Sequence, residues 1–276
     1  MAREVAPLHP NHVHRAQDGP GIPTLRDLLA SQLLRTARLL YHPLNSSLRH
    51  QTAASLANLW NFHLKPNHNR VKCPCCGWEG PAFLALGNWR STAFQSRCPQ
   101  CDSRSRHRGL IKVLLDVVRE KPEGPILFFA PEAPILDYIK SLAAGPVVTT
   151  AYSPDEEVDF PGEDIQRLTL ADNSYALILC NHVLEHVADD QLSLLECARV
   201  LKPNGIAVFT IPGNFSESST WHFDKPDGNG HYRHYGMDVV GKMRMAFSQV
   251  RAVDMSESSE PRWRVRKADY VFVCTK

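Results

Sequence analysis

From Ile111 onward, short runs rich in β-branched and aromatic residues alternate with stretches of helical period. That alternation leaves few architectures open. The apolar runs are "ILFFA" (126–130), "PVVTTA" (146–151), "YALILCN" (175–181) and "IAVFTIP" (206–212). Between them, "ILDYIKSLAA" (135–144) and "DQLSLLECARVLK" (190–202) repeat their apolar residues near the helical interval. A parallel strand pair cannot be closed by a tight turn and needs a crossover, normally a helix. The expected fold is therefore α/β: a parallel sheet with helices covering both faces.

Ahead of this pattern the chain changes character. Residues 1–22 carry His, Pro and Gly without apolar period and are expected to form a disordered tail. Residues 23–69 read as a helical segment. "TLRDLLASQLLRTARLLY" opens with Thr24 and Asp27 spaced as a capping box, and a second helix follows Pro43. Packing on the main domain is the expected role of these helices. Arg26, Arg35 and Arg38 raise membrane-surface or partner docking as the alternative. Residues 70–108 hold a cysteine-rich segment, and 109–276 the α/β domain.

Cys73-x2-Cys76 and Cys98-x2-Cys101 are each of the form C-P-x-C, and 21 residues separate the pairs. One C-x2-C turn delivers two thiolates to a metal, and two complete a tetrahedral sulfur site. Gly77 and Asp102 follow the pairs and tolerate the tight turn required. Four protein ligands close the coordination sphere, so the expected zinc is structural, with Cys75 a bystander. "SRSRHRG" comes next. Its Arg104, Arg106, His107 and Arg108 could contact phosphates or form an internally paired face.

"HVLEH" (182–186) matches the H-x-x-E-H pattern of a class of zinc peptidases. Such a site needs both histidines on one helical face. Here "YALILCN" runs as a buried strand to Asn181, so His182 falls at the strand's carboxyl end and the match is coincidental. In open α/β sheets ligands bind outside those ends, which places Asn181, His182 and Glu185 at the rim of a cleft.

The stretch "DNSYALILCNHVLEHVADDQLSLLECARVLKPNGIAVFTIP" (172–212), with its "LKPNG" turn, resembles the central part of class I S-adenosylmethionine-dependent methyltransferases, type 11-like in its core. "RCPQCDSRSRHRG" and "ILFFAPE" extend the resemblance to a bacterial subgroup with a zinc-ribbon-like, four-cysteine segment ahead of that core. It covers about residues 70–276. The resemblance implies a doubly wound, Rossmann-like, mostly parallel seven-stranded sheet whose last strand, "DYVFVCTK", inserts antiparallel. It also implies a site for S-adenosylmethionine: Ala130 and Glu132 in the first loop, Tyr152 at the ribose position, and Asp164 at the adenine side. Asn181 and His182 would face the methyl group. Two positions depart from the family. "APEAP" has no glycine, and Tyr152 stands where a ribose-binding acid is expected.

An oxygen or nitrogen nucleophile needs a base, and histidine is the default near neutral pH. His182 is one candidate. The loop "WHFDKPDGNGHYRHYGMD" (221–238) is the expected substrate lid, with His231 as base or substrate ligand and Arg233 as clamp. Thirty-one Lys and Arg against 29 Asp and Glu leave a net charge of +2, weak ground for a dedicated nucleic-acid binder. No apolar run spans a membrane, and the N-terminus lacks a signal-peptide core, so a reducing, cytoplasmic setting is expected. The leading expectation is a methyltransferase (EC 2.1.1) acting on O or N of a small molecule or sugar. An rRNA or tRNA methyltransferase gripping RNA through the knuckle and the basic cluster is the alternative. A degenerate fold acting as a binding module is the third.

Overall fold

The computed structural model describes residues 21–41, 46–64, 70–88, 90–121, 123–257, 259–266 and 269–276. All but the last two residues of the tail expected over 1–22 lie outside these, as do 42–45, with the expected break at Pro43, and 65–69 of the helical segment. The chain divides into two compact units. The first holds the residues up to Arg108 together with Glu260–Arg264, and the second holds Gly109–Ser259 and Val265–Lys276. Among the described residues, no helix is long and apolar enough to cross a membrane.

In the first unit, α1 (Leu25–Tyr41) opens on the capping box. Asp27 N–H donates to Thr24 Oγ1 at 3.1 Å and Thr24 N–H to Asp27 Oδ2 at 3.3 Å. α2 (Ser46–Leu59) follows and ends in a π-helical turn, Trp60–Leu64. Arg35 of α1 turns inward, donating to Gln51 O at 3.0 Å and to the Ser55 hydroxyl, which removes it from a membrane-facing surface. The Arg38 side chain lies outside the described ones. Two antiparallel pairs complete the unit: β1 (Val71–Lys72) with β2 (Glu79–Gly80), and β3 (Leu84–Gly87) with β4 (Thr92–Arg97). Asn58 of α2 grips both backbone groups of Ala85, at 3.1 and 2.7 Å. A cavity of about 420 Å³ beside this contact is lined by Leu28, Arg35, Ser55 and Gly87 among others.

The unit boundary falls within α3 (Ser105–Glu120). The second unit then runs β5 (Ile126–Phe129), α4 (Ala133–Leu142), β6 (Val147–Ala151), β7 (Phe160–Pro161), β8 (Tyr175–Asn181), α5 (Asp190–Val200) and β9 (Leu201–Thr210). After these come β10 (Trp221–His222), β11 (Arg233–His234), α6 (Val239–Met243), β12 (Gln249–Asp254) and β13 (Tyr270–Thr275). Seven strands form one sheet in the order β12-β13-β9-β8-β5-β6-β7. β7, β6, β5, β8 and β9 are parallel neighbours, and β13 inserts antiparallel between β9 and β12. This is the α/β, doubly wound architecture expected.

Burial explains why the central strands read as unbroken apolar runs. Every residue of β5 and β8 is buried, because helices cover both faces of the sheet. Each Leu, Ile or Phe so placed contributes roughly 1.5–3 kcal/mol. α5 starts where Asp189 accepts from Leu192 N–H at 2.9 Å, an N-cap. "LKPNG" is not a free turn but a wide bulge in β9. Leu201 pairs with Tyr175 and Ile206 with Leu177, so β9 advances five residues while β8 advances two, with Asn204 at φ +59°.

Candidate functional site

The strand order reverses between β5 and β8, where β5 leads one way to β6 and β8 the other way to β9. A crevice for a ligand is expected at the carboxyl ends on either side of such a switch point. Phe129 pairs with Cys180, so the next residues, Ala130 and Asn181, flank it. Ala130 takes φ +45°, turning the chain sharply after β5, and Ala130 N–H donates to Thr150 O at 2.8 Å. Glu132 stands just before α4.

Asn181 is 3% exposed. Its Oδ1 accepts from the Thr210 hydroxyl at 3.0 Å, while Nδ2 is buried without a partner. Buried amides are normally satisfied, so an orphaned donor at a switch point calls for an acceptor from outside the protein. Around the rim, Tyr152 follows β6 and is 78% exposed. Asp164 follows β7 and accepts from Gln166 N–H at 2.9 Å. Asp159 is already committed: Thr149 N–H and hydroxyl both donate to it at 2.8 Å, which holds its carboxyl below the usual range.

His182 takes φ +53° at the bend after β8, and only Leu184–His186 beyond it are helical, as one 3₁₀ turn. No helical face carries both histidines of "HVLEH". His182 Nδ1 lies 3.2 Å from Glu185 Oε1. A carboxylate only accepts, so Nδ1 is the donor, which in a neutral ring leaves the lone pair on Nε2. Glu185 is 1% exposed.

The loop between β10 and β11 brings His231 to the same place, where the ligand atoms of Glu185, His186 and His231 lie within 4.8 Å of one another. Burial draws the His231 pKa below the ordinary histidine value, favouring the neutral ring. Arg233 is 3% exposed and donates to Leu184 O at 3.1 Å and Ala188 O at 2.7 Å, with Asp190 Oδ2 at 3.4 Å. Its guanidinium holds the turn after β8 instead of facing solvent.

In the first unit the four cysteines form two matching knuckles. Gly77 N–H donates to Cys73 O at 2.8 Å and Asp102 N–H to Cys98 O at 3.0 Å. Cys73 N–H donates to Trp78 O and Cys98 N–H to Ser103 O, five residues on in each case, at 2.8 and 2.9 Å. Gly77 and Asp102 supply the left-handed turns, at φ +77° and +61°. Cys73 and Cys101 Sγ are 3.7 Å apart, as are Cys76 and Cys98 Sγ. A tetrahedral zinc with Zn–S bonds of ~2.3 Å places its sulfurs ~3.8 Å apart, so the donor set fits. Hydrogen bonds from the other thiols, Cys101 foremost, hold the Cys73 thiol far below its ordinary value. Cys75 is not among the four.

The seven-stranded sheet with its antiparallel insertion and its switch-point rim define a doubly wound, Rossmann-like fold. Residues 140–209, from the end of α4 through β9, match the family model described as a methyltransferase domain. No curated protein matches the sequence. Among solved structures, the chain is similar to a SAM-dependent methyltransferase from Archaeoglobus fulgidus, at 12% identity over 60% of this chain and 93% of that one, with a TM-score of 0.44. It is also similar to one from Thermotoga maritima described as a possible histamine N-methyltransferase, at 18% identity over 62% and 90%, TM-score 0.40. A third is the PH0226 protein from Pyrococcus horikoshii OT3, at 16% over 62% and 90%, TM-score 0.45.

The sequence alone points to His182, His231 and Glu185, sets His186 aside with the coincidental "HVLEH" match, and gives Asp227 no role. The spacing Asp227-x3-His231, within a loop already rich in histidine, was the available signal. Arg108, for which "SRSRHRG" allows phosphate contact or an internally paired face, is fully buried.

Proposed function

We propose that this protein is an S-adenosylmethionine-dependent methyltransferase that methylates O or N of a small molecule or sugar, with a structural zinc on Cys73, Cys76, Cys98 and Cys101. The observation that carries the proposal is the orphaned Asn181 Nδ2 at the β5/β8 switch point, within a segment matching a methyltransferase domain. A cytoplasmic, reducing setting, which keeps the thiols available, belongs to the same proposal.

When bound, the cofactor supplies an electrophilic methyl group on a sulfonium with a neutral leaving group, so the protein's task is alignment and exclusion of water. Ala130 and Glu132 would receive the methionine part, Tyr152 the ribose and Asp164 the adenine side. Asn181 Nδ2 would donate to an acceptor in the crevice. His182 Nε2 would take the proton from the nucleophile, with Glu185 orienting the ring through Nδ1 and stabilising its charged form. Arg233 acts here as a positioning residue that ties the β10–β11 loop to the turn after β8.

The small-molecule choice over RNA rests on the basic cluster. His107 and Arg108 are buried, which leaves Arg104 exposed and Arg106 half-buried as phosphate contacts. Calorimetry with S-adenosylmethionine tests the reading, and binding in the micromolar range is expected. No heat at millimolar cofactor would remove it. Salt-dependent retention on immobilised RNA would replace the small-molecule substrate with RNA.

A further inference from the structure

The β10–β11 loop is clasped onto the turn after β8. Tyr232 N–H donates to Glu185 O at 2.8 Å, and the Tyr235 hydroxyl reaches Leu184 O at 3.1 Å and Asp190 Oδ2 at 3.0 Å. The clasp juxtaposes three metal-ligating side chains. The His186 and His231 rings meet edge to face, centroids 4.8 Å apart, and Glu185 Oε1 lies 3.9 Å from His186 Nε2.

Three details separate this cluster from a chance grouping. Glu185 has two oxygens in different states: Oε1 faces His182, while Oε2 is buried with no hydrogen-bond partner. A bare carboxylate oxygen in a 1% exposed side chain is costly unless a cation meets it. His186 Nδ1 lies 3.3 Å from Gly230 O, an acceptor only, so the proton sits on Nδ1 and Nε2 offers a lone pair. Metal-binding histidines are commonly fixed by such a bond from the other nitrogen to a carbonyl. His231 Nδ1 is also buried without a hydrogen bond, its recorded acidic neighbour being Asp227 Oδ2 at 3.9 Å.

We propose that Glu185, His186 and His231 bind a divalent transition-metal ion and leave at least one coordination position open to a ligand from solution. Two imidazoles and a carboxylate suit zinc and its first-row neighbours. Ligand bonds of ~2.0–2.2 Å require donor atoms ~3.3 Å apart, so the cluster must tighten by ~1.5 Å at most. His186, 44% exposed, has room to turn. Asp227, His231 and His234 form a second possible grouping. Both Asp227 oxygens there already accept, Oδ1 from Asn229 and His231 N–H at 2.7 and 3.0 Å and Oδ2 from Asn229 Nδ2 at 3.4 Å, whereas Glu185 Oε2 accepts no hydrogen bond. Glu185 is thus a ligand and His182 is not, unlike the order that H-x-x-E-H would have in a peptidase. An ion on His231 removes that ring from the candidate bases and leaves His182. The inference stands on this cluster alone and holds whether or not the protein transfers methyl groups.

Full-length protein, washed with EDTA under conditions that retain the cysteine-bound zinc, is titrated with Zn²⁺ by calorimetry. Elemental analysis before and after fixes the stoichiometry. Wild type is expected to take up one further equivalent per chain. Glu185→Gln and His186→Ala are expected to weaken that uptake at least tenfold while keeping the first zinc, and His182→Ala to leave both in place. No second equivalent in wild type, or uptake unchanged by His186→Ala, overturns the proposal. Loss of the ion in His182→Ala overturns the ligand assignment. His186 is half-exposed, so its alanine variant, checked by its melting curve, decides even if Glu185→Gln does not fold.

Discussion

The Arg108 guanidinium lies 3.8 Å from the centroid of the Phe83 ring, and both side chains are all but excluded from solvent. Its donors go to five carbonyls: Gln95, Ser96, Ser103, Trp263 and Arg264, at 2.7–3.4 Å. No carboxylate meets it among the described residues. Burial lowers its pKa, while the neighbouring cysteine sulfurs oppose that shift. The zinc proposed for the four thiolates would carry a net negative charge, which the buried Arg108 cation would help to offset.

Arg108→Met should destabilise the first unit by about 3–5 kcal/mol, because several buried carbonyls lose their donors at once. Arg108→Lys should recover only part of that, since an ammonium has three donors and cannot reproduce the guanidinium fork. Urea denaturation followed by zinc release checks both; wild-type midpoints in the two variants would show that the cation is dispensable.

Cys98→Ser should lose zinc and stability together, since structural zinc binding is coupled to folding. Elemental analysis and limited proteolysis of the soluble variant read the two effects. Wild-type protein that is folded yet free of metal would contradict the zinc assignment.

Cofactor affinity should be modest. Replacing a charge-assisted hydrogen bond at the ribose typically costs about 1.5–3 kcal/mol, roughly ten- to a hundredfold in affinity. Tyr152, 78% exposed, has space around it for a different side chain. Tyr152→Asp should therefore tighten S-adenosylmethionine binding, and Asp164→Ala should weaken it. Asn181→Leu, which removes the orphaned donor, should weaken it as well. Calorimetry on the four proteins decides; weaker binding by Tyr152→Asp would give the tyrosine a role of its own.

Acid should unfold the protein partly through Glu196. Arg199 donates to both of its oxygens at 2.8 and 2.9 Å, and Leu168 N–H adds a bond at 2.9 Å. The Arg199 bonds, ahead of the other causes, hold its carboxyl below the ordinary value. A lowered folded-state pKa contributes stability above the unfolded value, about 4.3 for Glu, and loses it as pH falls through the folded value. Glu196→Gln should therefore melt earlier than wild type at pH 7, with the gap closing below about pH 4. A gap that persists into acid would mean that packing, not charge, is at work.

Much of this was legible before any coordinates because the signals are local. "YALILCN" reads as a strand because each of its residues is buried, and C-P-x-C fixes a knuckle within a few residues. β12 was missed because it is an edge strand whose Gln249, Arg251 and Ala252 are exposed, leaving no apolar run. The β10–β11 hairpin pairs only two residues on each side, too few to set a period. His186 and His231 stand 45 positions apart, and backbone bonds from the loop, not any motif, bring their rings together. The inward turn of Arg108 leaves no trace in "SRSRHRG", since a buried and a solvated arginine look alike in a string of letters.

Two of the carbonyls that hold Arg108 belong to Trp263 and Arg264, and Trp263 follows it by 155 residues. On a ribosome adding ~5–20 residues per second, those acceptors emerge roughly 8–30 s after the arginine does. Until then the nascent knuckle must leave part of the guanidinium to water or to a chaperone. Expressing residues 1–108 as a separate fragment would make that interim condition permanent. The unit that leaves the ribosome first is among the last to be completed.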